Sequence, residues 1–133
     1  MTLYVDSSAL LKRYFEEDDS DVALELMASD PMLVSSPLAG VEVNRNLALR
    51  LDAVEYEEAR ARFRLEFEGI ALIAMDASTC TEATRVAEQT GCRSLDAIHL
   101  GSALRAGSAT TVLTFDRGQA RAARAVGLTV VRC

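Results

Sequence analysis

The chain has 133 residues, half of them hydrophobic and only two of them proline, so it is large and apolar enough to fold as a single domain spanning residues 1–133. No apolar run approaches the roughly 18 residues of a membrane span. Neither a basic leader nor a cleavage site precedes the first apolar run. We therefore expect a cytoplasmic protein without a membrane partner. The net charge of −6 is unlike the basic surface of most nucleic-acid binders, but it does not exclude such a partner, because a site that collects carboxylates around cations is itself acidic.

Short apolar runs alternate with longer amphipathic segments along the whole chain. In chain order we predict a strand at residues 3–5, helices at 7–15 and 22–27, a strand at 32–34, helices at 37–51 and 52–69, a strand at 70–73, helices at 78–90 and 95–105, a strand at 111–114, a helix at 119–126 and a strand at 128–131. Alternation of this kind indicates βα units. We therefore predict an α/β fold, a three-layer α/β/α sandwich whose central sheet is mainly parallel.

Capping and breaking residues set the predicted helix limits. The starts are predicted at Ser7 or Ser8, Ser36-Pro37, Asp52, Ser78 and Ser94. The ends are predicted at Asp30-Pro31, Gly69, Gly91, Gly107 and Gly127.

Two aspartates directly follow predicted strands. Asp6 follows the first strand, and Asp116 follows the fourth after Thr114-Phe115. In open α/β sheets, ligands bind beyond the carboxyl ends of the strands, which is where both side chains are expected. An aspartate in this position is also a common helix N-cap, so each residue taken alone is open to a purely structural interpretation.

Two further acids lie early in predicted helices. Asp96 is the second residue after Ser94, where the helix dipole alone favours a carboxylate. Glu42 lies about a turn and a half into its helix, between Val41 and Val43. A carboxylate with apolar neighbours usually has a partner or a metal, so Glu42 is a candidate for a functional site.

The four carboxylates make a chemical case only together. If they converge in one cleft, their mutual repulsion is tolerable only with bound cations. Oxygen ligands select Mg²⁺, Mn²⁺ or Ca²⁺ and not zinc, and carboxylate-held Mg²⁺ is the usual apparatus of phosphodiester hydrolysis. The pattern thus favours an Mg²⁺- or Mn²⁺-dependent nuclease whose catalytic and metal-binding residues are Asp6, Glu42, Asp96 and Asp116.

Four short motifs occur in an informative order and spacing. They are residues 4–10 (YVDSSAL), 41–43 (VEV), 94–100 (SLDAIHL) and 113–116 (LTFD). Each is weak alone, but together they make the chain resemble, over essentially its whole length, the PIN-domain superfamily and specifically the VapC toxins of prokaryotic toxin–antitoxin pairs.

This resemblance implies an Mg²⁺/Mn²⁺ endoribonuclease, usually a homodimer, that is neutralised by a small antitoxin whose C-terminal arm lies in the active-site groove. The acid positions of the family match the four carboxylates named above. Ser7 and Thr114 match positions where hydroxyls support the site. Some relatives carry a further acid after the fourth, where this chain has Arg117-Gly118-Gln119, so a second metal site is expected to be weak or filled only with substrate.

Basic residues near the predicted mouth are candidates for binding RNA phosphates. They are Arg13, Arg45, Arg93 and Arg117. Lys12 and Arg50 lie in the same region, and for these two a solvated surface charge is the favoured interpretation.

Some residues that often carry chemistry are expected to be structural here. His99 shares a helical face with Asp96, but a packed or hydrogen-bonded histidine is favoured over a catalytic one. The three cysteines are odd in number and form no C-x-x-C pair, which favours incidental thiols. Phe63 and Phe67 form an apolar stripe that belongs either to the core or to a partner contact.

Two rival functions remain open at this point. Receiver domains and haloacid-dehalogenase-type phosphatases also carry an aspartate after the first strand. The first class needs a lysine after a late strand, where this chain has Thr114-Phe115-Asp116, and the second needs an acid at the position of Ser8. The other rival is a non-catalytic, metal-binding domain of the same fold, against which the presence of all four acids argues.

Overall fold

The computed structural model describes residues 2–29 and 32–131, and five strands and seven helices lie in these ranges. The elements are β1 (Thr2–Val5), α1 (Ser7–Leu11), α2 (Ser20–Ser29), β2 (Leu33–Ser35), α3 (Pro37–Arg50), α4 (Ala53–Glu68), β3 (Ala71–Leu72), α5 (Ala77–Thr90), α6 (Ser94–Arg105), β4 (Thr110–Leu113), α7 (Arg117–Ala125) and β5 (Thr129–Val131). Every predicted strand and helix is present. The predicted stop at Asp30-Pro31 lies outside the described residues.

The strands form one sheet in the order β3-β2-β1-β4-β5, and every neighbouring pair is parallel. β1 is central, with Leu3 opposite Leu33 on one side and Thr111 on the other. The order of the strands reverses at β1 and β4, and the crevice beyond the carboxyl ends of such a pair is where α/β sheets bind ligands.

Side chains that alternate along the strands divide the core into two layers. Leu3 and Val5 of β1 pack with α1 to α4 on one face, whereas Tyr4 packs with α5, α6 and α7 on the other. Successive residues of a strand point to opposite faces, so β1, whose Leu3, Tyr4 and Val5 are all buried, must be covered on both. The predicted three-layer α/β/α sandwich with a parallel sheet is confirmed.

Several helix starts differ from the predicted ones by one or two residues. The N-cap of α1 is Asp6, and neither Ser7 nor Ser8 has that position. The N-cap of α5 is Asp76 and not Ser78. Ser94 is the first residue of α6, whose N-cap position is Arg93 without a capping side chain. In each case the N-cap is the extended residue that directly precedes the first helical residue, and this residue lies one or two positions before the serine predicted from the sequence.

Other predicted boundaries agree with the structure. Ser36 caps α3, with Pro37 in its first turn, and Asp52 caps α4 in a capping box with Glu55. Gly91 ends α5 with a φ of +69°, a conformation that glycine adopts at little cost.

α5 and α6 approach each other closely at Gly101. A Cβ placed there would lie 2.7 Å from the backbone nitrogen of Ala83 and 3.2 Å from its Cβ. Through this contact α6, which carries Asp96 and His99, packs tightly against α5. Glycine at this position therefore helps to set where α6 presents its acid.

The apolar stripe of α4 belongs to the core. Phe63 is buried, stacks on Phe67 with the ring centroids 4.9 Å apart, and meets Tyr14 edge to face. Cys80 is an exposed free thiol and Cys92 a half-buried one, while Cys133 lies outside the described residues. None of the helices in the described ranges has the length and apolar character needed to cross a bilayer.

Candidate active site

All four predicted carboxylates line one cavity. Asp6, Glu42, Asp96 and Asp116 surround a space of about 270 Å³. They come from four separate segments: the ends of β1 and β4, the second turn of α3 and the first turn of α6. The cavity lies beyond the carboxyl ends of β1 and β4, where the topology predicts a ligand site.

Asp6 is the most enclosed of the four, with 2 % of its surface exposed. Its Oδ1 accepts hydrogen bonds from the Ser8 hydroxyl at 2.6 Å and from the Ala9 amide at 3.0 Å. Its Oδ2 accepts from the Thr114 hydroxyl and from the Gln119 side-chain amide, the latter at 2.9 Å. Burial raises the pKa of the Asp6 carboxyl, and nearby His99 and the donating hydroxyls oppose that rise.

These contacts show where the predicted supporting residues lie. The Thr114 hydroxyl donates to Asp6, and the serine hydroxyl that donates to it belongs to Ser8, while Ser7 lines the cavity. Gln119 was not singled out. Its position in the first turn of the helix capped by Asp116 is the signal that could have indicated it, because that turn faces the site.

The four donors have a consequence for metal binding at Asp6. A carboxylate offers about four lone-pair sites, and here four donors occupy them. An ion that binds Asp6 directly must therefore displace one donor. The Gln119 side chain lines the cavity, so an ion could take its place beside Asp6. The Ala9 amide is fixed in the first turn of α1, so an ion could not displace it without disturbing the helix.

Asp6 and Asp116 are both helix N-caps and both line the cavity. Asp6 caps α1 through the Ala9 amide, and Asp116 caps α7 through the Gln119 amide at 2.9 Å. The structural and functional interpretations of these aspartates are therefore compatible, because each carboxylate has an oxygen that faces away from the helix.

Arg93 joins two of the acids. Its Nε donates to Asp96 Oδ2 at 3.1 Å, and its Nη2 donates to Asp116 Oδ2 at 3.3 Å. The hydrogen bond to Asp96 raises the pKa of Arg93 further. Because 78 % of the Arg93 side chain is exposed, the two ion pairs are weakly held and can open at little cost.

Glu42 is hydrogen-bonded to His99, the histidine that the sequence places on the same helical face as Asp96. Glu42 Oε1 lies 2.5 Å from His99 Nε2, and the Tyr4 hydroxyl lies 2.8 Å from His99 Nδ1. His99 and Tyr4 are buried, and burial together with the nearby Asp6 raises the pKa of Tyr4. His99 is thus hydrogen-bonded through both ring nitrogens, and one of its partners is a carboxylate that lines the cavity. Of the two valines beside Glu42, only Val43 is buried; Val41 is exposed.

The candidate phosphate ligands are dispersed. Arg93 lines the cavity, while Arg13 pairs with Glu66 of α4 at 3.4 Å. Arg45 and Arg117 are exposed and are not among the residues lining the acidic cavity. Lys12 and Arg50 are engaged elsewhere, Lys12 with Glu17 and the Phe115 ring, and Arg50 over the ring of Phe15.

The donor chemistry of the cavity fits a hard divalent cation. Its charged groups apart from Arg93 are carboxylates, and the Oδ2 atoms of Asp96 and Asp116 already meet on one cation, the Arg93 guanidinium. Within residues 2–29 and 32–131, no three acidic, histidine or cysteine side chains lie close enough to hold one ion together.

Another cavity, of about 420 Å³, lies between α3 and α4. Gly40, Phe63, Phe67 and Leu72 provide its apolar lining, and none of the four candidate acids contacts it. The carboxylate cluster, and not the roomier space, therefore identifies the candidate site.

Comparison with known proteins agrees with this geometry. The family model of the PIN domain matches residues 3–125. Ribonuclease VapC46 of Mycobacterium tuberculosis is 33 % identical, over 97 % of this chain and 95 % of its own length.

Two solved structures share the fold at low sequence identity. FitAcB from Neisseria gonorrhoeae has a TM-score of 0.80 at 14 % identity, covering 96 % of this chain and 95 % of its own. A toxin–antitoxin complex from Klebsiella pneumoniae has a TM-score of 0.74 at 18 % identity, covering 98 % and 96 %. The family-model match and the VapC46 relationship together show that the chain belongs to the PIN-domain family, in its VapC branch.

Proposed function

We propose that the chain is a divalent-metal-dependent endoribonuclease that acts as the toxin of a toxin–antitoxin pair. The observation that supports this proposal best is the convergence of Asp6, Glu42, Asp96 and Asp116 on one cavity from four segments. A purely structural role for each acid does not explain why their side chains share one space. The ribonuclease name of the 33 % identical relative supports RNA as the substrate.

The proposed metal ligands are Asp96 and Asp116, whose Oδ2 atoms both accept from the Arg93 guanidinium, together with Glu42 and Asp6, which reach the ion through water or after a shift of their side chains. When bound, Mg²⁺ or Mn²⁺ supplies Lewis-acid stabilisation of the phosphoryl charge and an activated water. Asp6 is held rigid by its four donors, and His99 fixes the orientation of Glu42. These contacts keep the acids within the small tolerance that catalysis needs.

Arg93 has two roles in this proposal. It neutralises Asp96 and Asp116 while no other cation is bound, because its guanidinium bridges them. Once those carboxylates hold a metal, the exposed guanidinium is free to bind a substrate phosphate, for which its planar donors are suited. Arg45 and Arg117 remain proposed phosphate ligands farther from the acids, and Arg13, being paired with Glu66, is the weakest of the four.

We further propose a cognate antitoxin as the inhibitory partner, a homodimer as the assembly and the cytoplasm as the compartment. The toxin–antitoxin complex among the similar structures supports the partner. An antitoxin arm that brings a basic residue to the acidic cavity would be bound by charge-assisted hydrogen bonds. Expression of the chain alone should stop growth, and co-expression of the antitoxin should restore it.

The test of the nuclease is cleavage of a structured RNA by the purified chain with Mg²⁺, with Mn²⁺ and with a chelator. We expect metal-dependent cleavage that Glu42→Gln and Asp96→Asn each lower by about a hundredfold or more, because ligand changes exceed the 10- to 100-fold effects of outer-shell changes. The matched control is Glu58→Gln on exposed α4, which should cleave as the wild type does. Equal loss in the control, or cleavage that persists in chelator, would contradict the proposal.

A further inference from the structure

A second groove adjoins the acidic cavity. It has a volume of about 530 Å³, and Arg93, Asp96 and Asp116 line both spaces, which therefore meet at these three residues. Its other walls are the C-terminal end of α5 with the following turn, and one face of α7.

The charge of this groove changes along its length. Asp96 and Asp116 supply its carboxylates, both at the end that it shares with the acidic cavity, and Arg121 of α7 is its further cation. Arg121 is exposed and makes no hydrogen bond or ion pair within the part of the chain that the structure describes. Unlike Lys12, Arg62, Arg85 and Arg105, which are paired with acids, Arg121 has a guanidinium that is available to an anionic ligand.

A hydrogen bond joins the two walls of the groove, and small residues line the space between them. The side-chain amide of Gln89 on α5 donates to the carbonyl of Ala125 on α7 at 3.2 Å, which links the two walls. Small residues, including Gly91, Gly118 and Ala122, line the space between them. A ligand can therefore lie along the groove without large side chains having to move.

We propose that this groove binds the RNA backbone next to the scissile phosphate, with Arg121 contacting a flanking phosphate. The inference rests on the proposed function, since one phosphate must sit at the acids for a second to reach Arg121. A groove lined by both carboxylates and an unpaired guanidinium suits a ligand with several phosphates in a row, because one phosphate can share the metal of the acids while the next pairs with arginine. A ligand with a single phosphate would use only one end.

The test compares Arg121→Gln with Arg124→Gln. Both arginines are exposed on α7 and neither has a side-chain partner in the described residues, but Arg124 is not among the residues that line the groove. Binding of a short, fluorescently labelled single-stranded RNA of mixed sequence is measured by anisotropy across a salt series, in the presence of Ca²⁺ and in a Glu42→Gln background that limits cleavage. Arg121→Gln should weaken binding by about tenfold, as the loss of one charged hydrogen bond does, and lower the magnitude of the salt slope by about 0.7.

Arg121→Lys keeps the charge and should restore most of the salt slope. Hydrolysis of bis(p-nitrophenyl) phosphate, which is too small to span both spaces, should be the same for otherwise wild-type chains with and without Arg121→Gln. A wild-type chain that hydrolyses neither this ester nor RNA would contradict the nuclease itself, whereas normal ester hydrolysis with equal RNA binding by the Arg121 and Arg124 variants would overturn only the groove. Unchanged RNA binding with weakened antitoxin binding would also overturn it, in favour of an acidic peptide as the ligand.

Discussion

Replacing Asp6 by asparagine and by alanine should separate its structural role from its chemical one. Alanine removes the acceptor of four hydrogen bonds in a site that is 2 % exposed. The hydroxyls of Ser8 and Thr114 can rotate toward other acceptors, but the Ala9 amide loses its cap and the buried Gln119 amide is left unpaired. The lost cap costs about 1 kcal/mol and the unpaired amide about 1–3 kcal/mol, which gives roughly 2–4 kcal/mol in all.

Asparagine should behave differently, because most of these contacts can be kept. Its amide oxygen can accept from the Ala9 amide, and asparagine caps helices about as well as aspartate. Its NH₂ group faces Gln119, whose own amide can turn to present an oxygen. The change also removes a buried charge, so we expect the free energy of unfolding to stay within about 1 kcal/mol of the wild type.

The assay is thermal unfolding without metal, together with RNA cleavage at saturating Mn²⁺. For a chain of this length, 1 kcal/mol corresponds to about 4 °C, so Asp6→Ala should lower Tm by about 10 °C and Asp6→Asn by less than about 4 °C. Cleavage should fall by about a hundredfold or more in both variants. The control is Asp52, the exposed cap of α4, where Asp52→Ala should cost about 1 kcal/mol and leave cleavage intact.

Two outcomes would refute this reasoning. If Asp6→Asn lowers Tm as much as Asp6→Ala, the charge of Asp6 and not its acceptor geometry stabilises the fold. If Asp6→Asn cleaves at nearly the wild-type rate with Mn²⁺, the residue does not belong to the catalytic set.

Three further predictions follow from other contacts. Arg93→Ala removes the guanidinium that competes for two site carboxylates, so Mn²⁺ should bind more tightly by calorimetry; unchanged or weaker binding would show that the pair does not compete with the metal. His99→Leu leaves Glu42 without its donor and should cost about 1–3 kcal/mol in chemical denaturation while lowering cleavage, so full activity would exclude a positioning role. Gly101→Ala should cost about 1–3 kcal/mol, because its Cβ would lie 2.7 Å from a backbone nitrogen of α5; an unchanged Tm would mean that α6 shifts freely.

The sequence was a good guide to the elements and the sheet because the signals for both are local. β1 is buried from Leu3 to Val5 and forms an apolar run, and the capping box of Asp52 and Glu55 marks the start of α4 directly. Alternation of strands and helices then leaves a parallel sheet as the simple arrangement.

The details of the site could not be predicted in the same way, because they depend on contacts between distant residues. The choice between Ser7 and Ser8 as the support of Asp6 depends on which hydroxyl faces the end of β4, and the helical pattern does not say that. Arg93 could be named as a cation near the mouth, but its bridge from Asp96 to Asp116 joins two helices whose approach is a property of the folded chain.

The central place of β1 has a consequence for when the site exists. Asp6 lies at the start of the chain, yet its contacts with Thr114 and Gln119 span 108 and 113 residues. Synthesis proceeds from the N-terminus, so β1 can pair with β2 early but gains its second neighbour only when β4 is made, and Asp6 gains half of its donors only with Thr114 and Gln119. A nascent chain thus has no complete carboxylate cavity until β4 and α7 have been made, and the ribosome that makes the protein meets a finished site only after Gln119 has been added.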